Sequence, residues 1–363
     1  MSRKGFPGSF PKAFPAAFIA LGAAFLFGAS TPAAKVLLNH LSPQLLAGLL
    51  YMGSGLGLAL LNLLLSPLNR SSRTQLMTRA NLPSLAGVIL CGGVIAPVML
   101  MIGLRSTSGG SASLLLNLEA VFTATLAWFA FKEHFDRRIF LGMVAIIAGS
   151  VVLSLQPIDG TSNFVGTLAI AFACFCWGLD NNLTRNIAEA DSVQIASIKG
   201  LVAGVVNCTI AFACGAKLPA LNIVAMAAGV GFLGYGVSLV MFIKALRRLG
   251  TSRAGAYFST APFGGAILSL IFLHEFISPQ LLVASLLMGI GVWLHLTEHH
   301  EHEHTHDGME HEHLHVHDEE HQHEHDEKVA AGLPHNHWHK HQTVTHSHSH
   351  YPDNQHRHQH GPS

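Results

Sequence analysis

Long apolar runs separated by short polar turns fill most of this chain. Ten runs have a length suited to the membrane: Ala16–Leu38, Gln44–Leu65, Leu82–Leu104, Ala112–Phe131, Ile139–Leu155, Phe164–Leu183, Val193–Cys214, Ile223–Ile243, Ala254–His274 and Gln280–Leu296. A helix needs about 20 apolar residues to cross the hydrocarbon core. The shorter runs suit little tilt or a locally thin bilayer. Met1 to Pro15 form a polar leader carrying Arg3, Lys4 and Lys12. Beyond Thr297 the apolar runs stop and histidines take over.

The stretch Ser106 to Phe135 organises the rest. It is apolar, with Glu119 near its middle and Glu133 closing it beside Lys132. A carboxylate at mid-membrane is costly unless it is paired, neutral or wet, so Glu119 is expected to face protein or a water-filled cavity. The stretch has an echo 142 residues later: Ala112 meets Ala254, Ala124 meets Ala266, Leu126 meets Leu268, Glu133 meets Glu275 and Gly149 meets Gly291. A second register, shifted by 150, lays Phe27–Ser30 with Lys35 on Trp177–Asp180 with Arg185. Together they suggest an internal repeat. Five is odd, so the second five runs enter the membrane inverted relative to the first. Inverted repeats build secondary transporters, with the substrate near the midplane. The expected fold is an all-α membrane protein of ten transmembrane helices, as two inverted five-helix repeats, plus a disordered C-terminal tail. The expected divisions are a leader (1–15), a first repeat (16–157), a second repeat (158–297) and the tail (298–363).

Composition agrees with this pattern. The chain is 50% hydrophobic and 12% charged, about half the charge of a soluble protein. Its formal net charge of zero gives no case for nucleic-acid binding. Cys91, Cys174, Cys176, Cys208 and Cys214 fall in or beside apolar runs and read as small apolar residues. With the N-terminus in the cytoplasm, the inner segments hold fourteen basic residues and the outer ones only Arg105 and Lys217. The positive-inside rule then puts both termini in the cytoplasm of a multi-pass inner or plasma membrane protein.

These residues resemble two EamA-type repeats of the drug/metabolite transporter superfamily. The resemblance is carried by Phe27-Gly28…Lys35, Trp177-Gly178…Arg185, Ser42-Pro43, Ala112…Leu118-Glu119…Glu133 and Ala254…Ala261-Pro262…Glu275, across residues 16–296. It implies a ten-helix inverted-repeat carrier with a central cavity, moving small metabolites, often outward. Ala120 stands where many members have Pro, whereas Pro262 keeps it. Leu49, Leu50 and Tyr51 occupy a region where Arg is frequent, while Lys199 keeps a cation in the second half.

Five residues are expected at a substrate or proton cavity: Glu119, Lys199, Asp180, Lys35 and Tyr257. The alternatives are helix locking for Glu119, helix capping for Asp180 and snorkelling for Lys35. Asp180 and Arg185 are five apart and poorly placed to pair. Glu133 and Glu275 read as structural carboxylates, each capping the following span. Pro32, Pro97 and Pro262 are expected to kink or interrupt helices. The chain contains no G-x-x-x-x-G-K-[ST] sequence, so nothing suggests an intrinsic ATPase. It is read as a transporter and not an enzyme, with no required cofactor.

The tail holds 22 of the 26 histidines. They alternate with other residues at His300, His302, His304 and His306, at His311, His313, His315 and His317, and at His321, His323 and His325. Such a segment cannot bury a core and is expected to be disordered without ligand. Neutral imidazoles suit Ni, Co, Zn and Cu, and affinity is expected to fall as pH drops.

The leading expectation is a secondary transporter exporting a small metabolite, with a metal-binding tail. The alternatives are transport of transition-metal ions or chelates, and a non-transporting membrane metal buffer or sensor. Expected partners are the lipid bilayer, a small-molecule substrate and divalent transition metals, with a homodimer left open.

Overall fold

The computed structural model describes residues 13–65, 81–131, 137–155, 157–158, 161–162, 164–185, 187, 192–249, 251–297, 300–306, 310–315, 335–340 and 344–350. Residues up to 298 form one compact unit and the tail another. Among the described residues, nine helical stretches are long and apolar enough to cross a membrane, and Ala261–Phe272 is a shorter apolar helix.

In the first half the helices are α1 (Ala13–Leu37), α2 (Pro43–Leu65), α3 (Leu82–Val88), α4 (Ala96–Ser106), α5 (Gly109–Leu115), α6 (Leu118–Phe131) and α7 (Arg137–Ser154). A π-helical segment, Ile89–Ile95, joins α3 to α4. The second half repeats this order with α8 (Phe164–Arg185), α9 (Ser192–Ala213), α10 (Leu221–Gly231), α11 (Ser238–Leu249), α12 (Thr251–Phe258), α13 (Ala261–Phe272) and α14 (Pro279–Leu296). Here too a π-helical segment, Phe232–Val237, sits inside the third span. Between the halves, Pro157–Ile158 (β1) pairs antiparallel with Thr161–Ser162 (β2).

Packing repeats the symmetry. α2 packs on its counterpart α9, and α7 on its counterpart α14. α4 packs on α8 as α11 packs on α1, and α6 packs on α8 as α13 packs on α1. Each pair is the image of the other when the halves are exchanged. Small residues bring backbones together at these seams, which suits helix association in lipid. A Cβ at Gly55 would collide with the Leu201 backbone on α9, and one at Gly28 with the Ala261 carbonyl on α13.

Two predicted spans differ from expectation. The fourth is not one helix, because Leu116 and Asn117 form a turn between α5 and α6. The ninth breaks at Ser259 and Thr260. The cause is local in both. The Asn117 amide donates to the Leu114 carbonyl at 2.9 Å, and the Thr260 hydroxyl donates to the Tyr257 carbonyl at 2.7 Å. Polar side chains that bond carbonyls three residues back compete with helix continuation. Pro262 adds a missing donor at the start of α13. Asn117 and Thr260 stand one residue away from the register that aligns Glu133 with Glu275.

In the tail, which the sequence reading leaves without regular structure, four stretches take extended form: β3 (His300–His306), β4 (Glu310–His315), β5 (His335–Lys340) and β6 (Val344–His350). Alternation of His with other residues has the period of a strand, and backbone pairing needs no apolar core. β3 pairs antiparallel with β6, and β4 with β5.

Candidate functional site: an interior polar cluster at a π-helical break

The interior polar groups gather where the third span changes pitch. The Ala96 amide bonds the Cys91 carbonyl, five residues back. Pro97 comes next and has no amide hydrogen. The Gly92 carbonyl is thereby left without its helical donor. Two side chains supply the bonds instead: the Tyr51 hydroxyl donates to it at 2.7 Å and the Trp177 indole N–H at 3.1 Å. The Asn207 amide donates to the neighbouring Gly93 carbonyl at 3.2 Å. Gln44 in turn donates to Asn207 at 3.0 Å. π-helical turns expose backbone in this way and cluster at functional sites.

Beside this break lies an ion pair. Lys199 Nζ of α9 donates to the Asp180 carboxylate of α8. Asp180 is 5% exposed, and its other oxygen accepts from the Thr184 hydroxyl at 3.3 Å. The absence of a side chain at Gly92 makes room for it, since a Cβ there would strike the Asp180 carboxylate. Gly93 likewise faces the Lys199 stem and the Tyr51 ring. Both charges belong to the second half, and both rest on the first.

Glu119 lies one helix away, in the first turn of α6, where the helix dipole favours negative charge. Its carboxylate accepts from the Asn181 amide at 2.8 Å. Asn181 also reaches the Thr123 hydroxyl at 3.2 Å. The neighbouring Asn182 donates to the Thr123 and Gly178 carbonyls at 3.2 and 2.8 Å. The three consecutive residues Asp180, Asn181 and Asn182 therefore join α8 to Lys199 of α9 and to Glu119 and Thr123 of α6.

An aromatic chain crosses the halves next to Tyr51. The Tyr51 and Tyr235 rings are 5.6 Å apart, and Tyr235 and Phe27 are 5.9 Å apart. Phe27 continues to Phe258 at 5.5 Å. Tyr235 comes from the π-helical segment of the second half, so each half contributes its irregular turn to the interior.

The expected cavity residues do not all meet. Asp180 and Lys199 pair directly, and Glu119 joins them through the Asp180–Asn182 stretch. Tyr257 instead packs on Ala20, Ala245 and Ala254, and it is its neighbour Phe258 whose ring lies against Phe27. Lys35 lies elsewhere: its Nζ donates to the Leu104 and Thr107 carbonyls at 2.6 and 2.7 Å, which is capping of the end of α4 and not snorkelling. Glu275 does cap a helix, but not the following one. It accepts from the Gly109 and Gly110 amides at 2.6 and 2.8 Å, at the start of α5 in the other half. The following helix, α14, is capped by Ser278. Glu133 lies outside the described residues, as does the side chain of Arg185. Sequence reading did not single out Asn207, Gln44 or Gly92 as site residues. Asn207 and Gln44 were visible as amides inside apolar runs.

Comparison with known proteins adds the family. The EamA-like transporter family model matches twice, over residues 14–155 and 164–297. This chain belongs to the EamA-like transporter family. It is thus a multi-pass secondary transporter of the drug/metabolite kind, not an enzyme, working in a lipid bilayer on a small-molecule substrate. An uncharacterized transporter of Methanothermobacter thermautotrophicus is 30% identical over 290 residues, covering 75% of this chain and 83% of that protein. The uncharacterized transporter YyaM of Bacillus subtilis is 22% identical, covering 75% and 92%. A Salmonella typhimurium protein named as a probable amino-acid metabolite efflux pump is 28% identical over 172 residues, covering 45% of this chain and 52% of its own length. One crystal structure superposes with a TM-score of 0.57 at 17% identity, covering 77% of this EamA-family chain and 97% of its own, a likeness of fold alone. The two matched regions coincide with the two sets of seven helices described above.

Proposed function

We propose that this EamA-family protein exports a small metabolite carrying both an ammonium and a carboxylate. The observation that carries the proposal is the pair of buried Asp180 and half-buried Lys199 beside the opened backbone of Ile89–Ile95. A buried ion pair contributes little net stability, because desolvation offsets its attraction. It can therefore be exchanged at small cost for a ligand offering the opposite charges in the same places. In such an exchange the substrate ammonium faces Asp180 and its carboxylate faces Lys199. Tyr51 and Trp177 supply an aromatic wall with polar edges. Glu119, next to this site, is the candidate proton-binding carboxyl. The Salmonella relative's name, an amino-acid metabolite efflux pump, supports the same substrate class. Export is driven by an ion gradient, by exchange or by the cargo's own gradient. The basic asymmetry of the sequence supports cytoplasmic termini in the inner or plasma membrane.

The test uses purified protein in liposomes loaded with isotopically labelled amino acids. Release faster than from loaded liposomes without protein, and lost in Asp180→Asn, is the expected result. Release of neutral sugars or of metal salts alone, with none of any zwitterion, would overturn it.

The histidine-rich tail favours a second reading, in which Ni, Co or Zn ions or their chelates are cargo, or are sensed by the tail. Deleting residues 299–363 separates the two. Unchanged zwitterion release with lost metal tolerance makes the tail regulatory. Metal release that disappears with the tail makes metal the cargo. A third outcome, metal binding with no release of any compound, would leave a membrane-bound metal buffer.

A further inference from the structure

We propose that Asn62 and Gln194 are positioning residues for transport: they form a clasp that shuts one end of the α2–α9 seam when the other end of the bundle opens. The proposal holds for any cargo and does not rest on the zwitterion reading. α2 and α9 touch through glycines. A Cβ at Gly48 would strike Cys208, one at Gly204 would strike Met52, and one at Gly55 would strike Gly200 and Leu201. Positions rise along α2 as they fall along α9, so the helices are antiparallel. Two turns beyond Gly55, the same register sets Asn62 of α2 opposite Gln194 of α9. Here the helices part. A cleft of about 300 Å3 lies between them, lined by Ala59, Asn62, Leu63, Gln194, Ser197 and Leu201. Neither amide side chain has a hydrogen-bond partner among the described residues.

The 150-residue shift that relates the halves lays Gln44 on Gln194. Gln44 is engaged: from the first turn of α2 its amide donates to Asn207 of α9 at 3.0 Å. Gln194 is not. One residue of the repeat thus stands in two states at the two ends of one seam. A second pair of counterparts differs in the same sense. α5 packs on α13. Exchange of the halves turns that pair into α12 and α6. Among the described residues these make no comparable seam: α12 packs on α1, α11 and α14, and α6 on α7 and α8. The end that holds Gln44 also holds Lys35 and Glu275 on the turn between α4 and α5. All three observations mark the Gln44 end as shut and the Gln194 end as open. Inverted repeats can trade conformations. In the traded state the cleft closes about the Gly55–Gly200 contact, and the Asn62 and Gln194 amides meet. Hydrogen bonds between helices in membranes are weak enough to form and break within a cycle. Lys199 lies on α9 between that contact and the cleft, so the movement is carried to the ion pair.

The test traps each end with a disulfide. It uses full-length protein in liposomes, without cargo, with the five native cysteines changed to Ala. Gly109→Cys with Ser269→Cys bridges α5 to α13, where a Cβ at Gly109 would lie 3.2 Å from the Ser269 Cβ. Ala59→Cys with Ser197→Cys bridges the cleft. The first bridge should form readily, and the second about tenfold more slowly, since it captures the less populated state. In the four-cysteine protein no chain should hold both. A maleimide added after oxidation, read by intact mass, should therefore add two labels to a bridged chain and never none. Gln194→Leu should slow the cleft bridge about threefold or more and leave the first unchanged. Asn62→Gln, which keeps an amide, should bridge as the parent pair does. Chains with both bridges would overturn the clasp. So would a cleft bridge that is absent, as fast as the first, or indifferent to Gln194→Leu. Where the cysteine-free chain does not stay monodisperse, amide exchange in the native-cysteine protein decides. Gln44→Leu should shift the population toward the shut cleft and slow exchange over 194–201. Adding Gln194→Leu should cancel the slowing. Exchange unchanged or quickened by Gln44→Leu would overturn the clasp. No step uses cargo, so zwitterion release and the clasp stand or fall separately.

Discussion

Lys35 and Glu275 hold the two sides of one turn. Lys35 donates to the Thr107 carbonyl at 2.7 Å, and Glu275 accepts from the Gly109 amide at 2.6 Å. The cation sits on the end of α4, where carbonyls are unpaired, and the anion on the start of α5, where amides are unpaired. Each charge matches the dipole of the helix end that it caps. Lys35 belongs to the first half and Glu275 to the second, so the turn ties the halves together at that end of the bundle.

Glu275→Gln leaves one acceptor oxygen for two amides and sets an NH2 group against the other. The expected loss is about 1–2 kcal/mol, the scale of polar contacts within membranes. The variant should melt earlier in detergent, and amide exchange at Gly109 and Gly110 should quicken. Unchanged exchange at both glycines would remove the capping role.

Asp180→Asn strands the half-buried Lys199 charge, and Lys199→Met strands the buried Asp180 charge. Breaking a buried pair costs about 3–5 kcal/mol, whereas removing both charges can be close to neutral. Thermal unfolding should therefore rank each single variant below the double variant. Transport should be lost in all three, since none offers both charges to a substrate. A double variant no more stable than the singles would mean that the pair does not act as one unit.

Gly92→Ala places a methyl group against the Asp180 carboxylate. The pair must shift or the π-helical segment must move. Transport should fall by at least tenfold with the protein still inserted in the membrane. Gly255→Ala, where a Cβ meets nothing within 4 Å, is the control and should transport as the parent does. Equal rates for the two variants would show that the close approach at Gly92 does not matter.

Glu119→Gln keeps an acceptor for the Asn181 amide but cannot exchange a proton. The variant should fold and insert normally. Its transport should be slower, or should no longer change with pH between about 5.5 and 8. Transport equal to that of the parent at every pH assigns Glu119 to helix packing alone.

Much of this architecture is legible in the sequence. Ten apolar runs, the matched Glu133 and Glu275 and the doubled glycine–cation spacing predict two repeats, and the two matched regions and paired sets of seven helices agree. Asn117 and Pro97 carried local signals for the broken fourth span and the π-helical third one: one is an amide inside an apolar run, the other lacks an amide hydrogen. Other features depend on which helix faces meet. Nothing along the chain says that Lys199 is the partner of Asp180, that Glu275 reaches Gly109 and not its own following helix, or that Phe258 and not Tyr257 enters the aromatic chain. Hydropathy and local hydrogen bonding act between near neighbours in sequence, so sequence determined the spans, their breaks and their repetition. Pairing of charges across helices depends on rotation and close approach of whole segments, set at glycines such as Gly55 and Gly92, and only the tertiary structure decided it.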